Sequence, residues 1–187
     1  MTRPALMIPA VLAAAVLLAA LKETTPSYAV LTGPIGTAGE QSKTVSSRTF
    51  SVKVDRVLRA KAIDYEQFGR AVDLQSSGVW VVVSAELQAL QKTMPVRAAT
   101  LVGASGRFYR QSRRAGDAPN NLSAKTVQPG LPTTGVLVFE LPEDETENMK
   151  LMLSEQYDPQ LEDEIGVSLD ADKTAPQARL EIRKDGV

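Results

Sequence analysis

Val127–Glu143, VQPGLPTTGVLVFELPE, decides the fold. Gln128-Pro129-Gly130 and Leu131-Pro132 cannot continue a regular element, because proline fixes φ and has no N–H while glycine opens positive φ. A turn belongs there. Beyond Gly135, Val136, Val138 and Glu140 fall on one side of an extended chain, Leu137, Phe139 and Leu141 fall on the other, and Pro142 closes the run. This alternation predicts a strand buried on at least one face, with the rest of the second half packed around it as further strands.

Working outward, Gly78–Leu87, GVWVVVSAEL, is the strongest β-forming run and is apolar on both faces at its start, which predicts a central strand. Trp80 lies inside it and is expected in the core rather than on a ligand platform. In Arg48–Arg59, Phe50, Val52 and Val54 alternate with Ser51, Lys53 and Asp55, so this strand has one wet face, with a bulge expected near Val57-Leu58. Val96–Val102 reads as another strand, which Gly103-Ala104-Ser105-Gly106 turns back into Arg107-Phe108-Tyr109-Arg110. Met149, Leu151 and Leu153 share one side of a later strand, and Ala178–Arg183 closes the chain with Leu180 and Ile182 on one face. Residues 61–77, KAIDYEQFGRAVDLQSS, read as a connecting loop or a short helical turn. Seven to eight strands at short intervals, with no amphipathic helix among them, predict an all-β antiparallel sandwich of immunoglobulin type.

The N-terminal part is different. Ala5–Leu21, ALMIPAVLAAAVLLAAL, is a run of 17 uncharged residues between Arg3 and Lys22. At about 1.5 Å per residue it would span roughly 26 Å, enough for a thin bilayer core with Lys22 snorkelling. It reads as an export signal, and the charged Lys22-Glu23 pair before the small residues Ser27-Tyr28-Ala29 favours an uncleaved anchor over a cleaved one. The expected organisation is therefore a signal anchor or transmembrane helix over residues 1–22, an extended linker over 23–46 and the sandwich over 47–187. A short basic N-terminus held inside places the body in the periplasm or outside the cell, on a single-pass anchor in the cytoplasmic membrane.

Histidine and cysteine are both absent. Their absence removes thiol nucleophiles, histidine triads, imidazole or thiolate metal sites and disulfides from the available chemistry. The net charge of −1 conceals a segregation: residues 43–125 carry 14 basic and 6 acidic side chains, and residues 126–187 carry 5 and 14. Two solvated faces that offset one another account for this, and a polarised docking surface is the sharper alternative. The densest cations are Arg107, Arg110, Arg113 and Arg114, at and before a Gly, Pro and Ser-containing loop over residues 111–125. They form a candidate patch for partners or for anionic envelope material such as phospholipid headgroups, set against the plainer reading of a solvated loop tip whose arginines pair with nearby carboxylates. Carboxylates at Asp158, Glu162, Asp163, Glu164, Asp170 and Asp172 fit no EF-hand spacing, and solubilising or partner-facing loops are the expectation. No metal, cofactor or catalytic residue is assigned, and nucleic acid is not an expected partner.

The order TFSVKVDRVLRA, GVWVVVSAELQAL, LVGASGRFYR and VQPGLPTTGVLVFELPED resembles the immunoglobulin-like domain of unknown function found in many bacterial lipoproteins and anchored surface proteins, over roughly residues 47–170. The Pro-Gly turn followed by GVLVFELP carries most of the likeness. The chain departs from that family in lacking a lipoprotein cysteine and in having Ala89-Leu90 where an asparagine often ends the long strand. The resemblance implies fold and location, and no activity. The function expected is that of a non-catalytic interaction domain held outside the inner membrane, an accessory or scaffold subunit for other envelope proteins of a transporter or secretion complex. The alternative is a binding module for a small molecule, glycan or lipid headgroup.

Overall fold

The computed structural model of the chain describes residues 4–26, 28–170, 175–184 and 186–187. Arg3 before the apolar run, Ser27 in the cleavage motif and Asp172 among the carboxylates lie outside them. Residues 1–33 form one unit and residues 34–187 a second. In the first unit, the Ala- and Leu-rich run folds as helix α1, Pro4–Thr24, followed by a single turn of helix, α2, Tyr28–Thr32. Among the described residues no helix is long and apolar enough to cross a membrane, so the described helix does not support the expected span.

The second unit is built from twelve described strands. In chain order they are β1 Ile35–Glu40, β2 Thr44–Ser46, β3 Phe50–Gln67, β4 Arg70–Ala89, β5 Met94–Pro95, β6 Ala98–Val102, β7 Phe108–Arg110, β8 Thr126–Val127, β9 Thr133–Leu141, β10 Lys150–Ser154, β11 Asp163–Ser168 and β12 Gln177–Ile182. One sheet runs β1-β11-β10-β6-β7, the other runs β12-β3-β4-β9 with β2 also on β3, and β5 pairs with β8. Most pairings are antiparallel, but β1 lies parallel to β11 and β12 parallel to β3.

The two sheets face one another across the core. Ala99, Leu101, Leu151, Leu153, Ile165 and Val167 from the first meet Phe50, Val52, Val81, Val83, Leu137 and Phe139 from the second. A separate apolar cluster covers the other side of the second sheet. There Trp80, Val82, Val136 and Val138 lie beneath Ala115, Ala118, Leu180 and Ile182. Both sides of β4 over Val79–Val83 and of β9 over residues 135–139 are thus buried, which explains why these runs are apolar on both faces.

The deciding stretch folds as its sequence predicts. Leu131 N–H donates to the Gln128 carbonyl at 3.3 Å and Gly130 has φ +73°, the positive value that the third position of a Pro-Gly type II turn requires. β9 then pairs with β4 from Val79↔Leu141 to Leu87↔Thr133.

Two expectations are corrected. Residues 61–77 are neither loop nor helical turn: they complete a long hairpin in which β3 and β4 pair from Ile63↔Leu74 and Tyr65↔Val72 to Gln67↔Arg70. The period of two is present in Ile63-Tyr65 and Val72-Leu74, but each arm is short and the Phe68-Gly69 turn interrupts it. Residues 35–46 are not linker, since β1 and β2 belong to the body. Their small, glycine-rich sequence reads as a tether because β11 supplies the ladder and Val45 fills the space a side chain at Gly39 would need.

Register within the hairpin shifts between Ala60↔Trp80 and Ala62↔Gln75, so residues 76–79 of β4 face a single residue of β3, Lys61. The chain there passes so close to β9 that a Cβ on Gly78 would strike the Leu141 carbonyl. At the tip, Phe68 has φ +49° and Gly69 φ +74°. A two-residue turn with both values positive favours Asn-Gly, and a left-handed phenylalanine costs about 1–2 kcal/mol. Phe68→Asn is therefore expected to raise stability by about 0.5–1 kcal/mol. Gly78→Ala should lower it by about 1–3 kcal/mol. Urea unfolding of each variant against the parent checks both signs.

Candidate functional site

The four candidate arginines do not form one patch. Arg114 is committed to the second sheet: its guanidinium pairs with Glu140 at 2.7 Å, donates to the Gln75 carbonyl at 2.8 Å and lies 5.2 Å above the Trp80 ring. Trp80 is fully buried, as its valine-rich surroundings predict. Arg107 interacts with the Tyr109 hydroxyl at the turn between β6 and β7. Arg113 sits exposed in a 3-10 turn, Arg113–Ala115. Arg110 alone reaches a concave surface.

That surface is the outward side of the first sheet. Residues of β6, β10 and β11 that alternate with the core positions point away from it, so Ala98, Thr100, Met152, Ser154 and Glu164 make a floor. On β7, Tyr109 packs inward against the core and leaves Phe108 and Arg110 on the outer side. Register aligns Arg110 with Thr100 and Thr100 with Met152, placing the three in one cross-strand row. Pro34 and the loop Tyr157-Asp158-Pro159 close the remaining sides of a groove of about 510 Å³. Arg110 bridges it, its guanidinium 4.4 Å from the Tyr157 ring.

Electrostatics within the groove are uneven. Burial raises the Glu164 carboxyl above its ordinary value, and Lys150 pulls only weakly the other way. Among the described residues Arg110 has no ion-pair partner and its side chain donates no hydrogen bond. Its donors are available to a ligand. Among the described residues no group of histidine, cysteine, aspartate or glutamate is placed to hold a metal ion.

Other charges hold the fold. The Asp163 carboxylate is nearly fully buried, yet it accepts from Arg48 Nε at 2.8 Å and from the Thr49 amide and hydroxyl at 2.9 Å each. Burial pushes this group up, but the hydrogen bonds from Arg48, Thr49 and Ser47 outweigh it and leave it below its ordinary value. Glu145, within the acidic run EDETE of residues 143–147, is buried. The hydroxyl and amide of Ser105 hold its carboxylate below the ordinary value and tie the β6–β7 turn to the Glu143–Glu145 turn. Neither role is legible in the sequence, where both residues sit within acidic runs.

Part of the charge segregation is met by ion pairs. Arg48–Asp163, Lys61–Glu143 and Arg114–Glu140 each join a cation of the basic middle to an anion of the acidic end. Arg179 of the end pairs with Asp73 of the middle.

No known family profile matches the chain, and no curated protein sequence matches it. Solved structures do. The yjhA protein from Bacillus subtilis superposes with a TM-score of 0.55 at 14% identity, over 71% of this chain and 99% of its own. A secreted protein from Mycobacterium tuberculosis, MPT63, superposes with a TM-score of 0.50 at 16% identity, over 72% of this chain and 97% of its own. At these identities the likeness is one of fold: a β-sandwich. An uncharacterized β-sandwich protein from Clostridium difficile 630 superposes at 0.46 with 10% identity, over 77% of this chain and 99% of its own.

A carboxylate with a depressed folded pKa contributes stability above the ordinary carboxylate range and loses it as pH falls towards the folded value. Asp163 and Glu145 both have that sign, whereas Glu164, raised by burial, gains as pH falls. The urea midpoint is expected to be flat near neutrality and to drop between about pH 5 and pH 3. Asp163→Asn should flatten part of that drop while costing about 1.5–3 kcal/mol at pH 7 through the weakened charge-assisted bonds. An unchanged acid limb in Asp163→Asn would show that this carboxylate does not pin Arg48 and Thr49.

Proposed function

We propose that the chain is a membrane-tethered, extracytoplasmic binding module with an immunoglobulin-like β-sandwich, and that its recognition surface is the groove crossed by Arg110. The observation that carries this reading is the pairing of an apolar-walled concavity with a cation whose donors the protein leaves unused. Ligand sites are typically mostly apolar hollows with a few convergent polar groups that fix orientation. The face of a sheet held flat by cross-strand register is a rigid place to build one. Catalysis is not part of the proposal: Ser154 and Glu164 are cross-strand neighbours on the floor, but the Ser154 hydroxyl donates to the Gln156 carbonyl.

The tether is supported by sequence rather than by the described helix. Ala5–Leu21 contains no charge and is flanked by Arg3 and Lys22. Such a run is an export signal whether or not it stays attached, and a cytoplasmic-membrane anchor with the body outside is the arrangement proposed.

A second reading, an accessory subunit that contacts other envelope proteins, is favoured by one further observation. Phe68 is 96% exposed at the end of the β3–β4 hairpin, on a backbone conformation that a phenylalanine adopts only at a cost. Aromatic residues presented in this way serve as contact anchors.

The two readings part in a crosslinking experiment. A photoreactive amino acid is placed at Thr100 on the groove floor or at Phe68 on the hairpin tip of the full-length chain in its own membranes. Binding through the groove predicts a defined adduct from Thr100 that Arg110→Glu abolishes. An adduct from Phe68 alone would transfer recognition to the hairpin.

A further inference from the structure

The chemistry of the groove narrows its ligand, an inference that rests on the binding-module reading above. We infer that the groove takes a small amphiphilic anion, with a carboxylate or phosphate head on the Arg110 guanidinium and an apolar body laid across Met152 between Phe108 and Tyr157.

Three features of the site lead to this class. Arg110 presents a planar fork of donors that meets no carboxylate among the described residues, in contrast to Arg48 and Arg114, which are paired with Asp163 and Glu140. A fork held against a ring, beside apolar walls, fits a carboxylate or phosphate oxygen pair, and partial exclusion of water strengthens the contact. Beside the polar floor residues Thr100, Ser154 and Glu164 lie Ala98 and Met152, with Pro159 buried at one side. At the far end Gly166 carries no side chain, and the Lys150 stem and Met152 lie over the space it leaves. An acyl chain or aromatic ring of modest size gains burial there.

The third feature sets orientation. Glu164 lies on β11, three strands from Arg110 on β7, a separation of roughly 14 Å across the sheet at the backbone. Asp158, from the loop beside Tyr157, adds a second carboxylate to the lining. At the far side the Glu164 carboxylate is partly offset by Lys150, whose ammonium stands over Gly166, whereas Arg110 has no carboxylate partner among the described residues, so the anionic head is placed on Arg110. A single head held on Arg110 gives a monoanion one direction to lie in.

The test uses the full-length chain, held in amphipol and labelled with 13C-methyl methionine. Met152 reports on the groove, and Met94 and Met149, both buried elsewhere in the core, serve as internal controls. The probes are octanoate, octyl phosphate, octanol and octylammonium. The expected result is a saturable shift of the Met152 methyl with octanoate, at a dissociation constant on the order of a millimolar or below, with Met94 and Met149 still. Octanol should bind at least tenfold more weakly, and octylammonium should give no saturable shift. Arg110→Gln should weaken octanoate at least tenfold and leave octanol unchanged. Octyl phosphate tighter than octanoate would assign the site to phosphate headgroups, and the reverse order would assign it to free carboxylates.

Equal binding of octanol and octanoate, or indifference to Arg110→Gln, would overturn the anion assignment. If the Thr100 adduct and its loss in Arg110→Glu still held, the groove would remain a binding surface for some other ligand. No movement of Met152 with any of the four probes would overturn the amphiphile assignment outright.

Discussion

The fold depends on β4 being covered from both sides. Val81, Val83 and Leu87 close the interior between the sheets, while Trp80 and Val82 are closed from outside by the segment around Ala115 and by β12. A strand buried on two faces cannot shift register without exposing one set of valines or the other. Its neighbours β3 and β9 inherit that fixed register, and the close pass of Gly78 against Leu141 locks it at one end. Arg114 belongs to this device rather than to a ligand site. By pairing with Glu140 and lying over Trp80 it fastens the outer covering to the sheet, and by donating to the Gln75 carbonyl it holds the chain where the register shift begins.

Where burial pattern and turn chemistry agree, the sequence is readable. The type II turn at Gln128–Leu131, the double-faced strand beyond it, the core placement of Trp80 and the one-sided rows Met149-Leu151-Leu153 and Leu180-Ile182 follow from proline, glycine and a period of two. Legibility ends where partners are distant in the chain. The pairing of β1 with β11 and of β12 with β3 joins segments more than a hundred residues apart, and nothing local in IGTAGE announces a strand. The hairpin tip was obscured for a different reason. Its turn carries phenylalanine where turn preference calls for asparagine, so the strongest local marker of a hairpin is missing.

The candidate site was half visible. Four arginines close together in sequence suggest one basic surface, but successive residues of a strand point to opposite faces, and a loop that changes sheets divides them further. Arg110 shares the outer face with Phe108 and Arg114 leaves for the other sheet, so one cation of the four reaches the groove. Met152, Tyr157 and Glu164, which give the groove its walls and polarity, carry no sequence signal of their own. Met152 looks like any outward residue of an alternating strand, and Glu164 like one more acid in EQYDPQLEDE. What assembles them is the strand order β11-β10-β6-β7, which is set by the core beneath.

If the groove is the recognition surface proposed, the outer side of the first sheet is occupied when the protein does its work. Hydroxyl-radical footprinting of the chain in its native membranes, compared with the same chain after purification, measures this directly. Phe108, Met152 and Tyr157 are expected to be protected in the membranes and to become reactive on purification, while Leu90 and Leu131, exposed far from the groove residues in sequence, react alike in both. Equal oxidation of Phe108, Met152 and Tyr157 in the two preparations would contradict the claim.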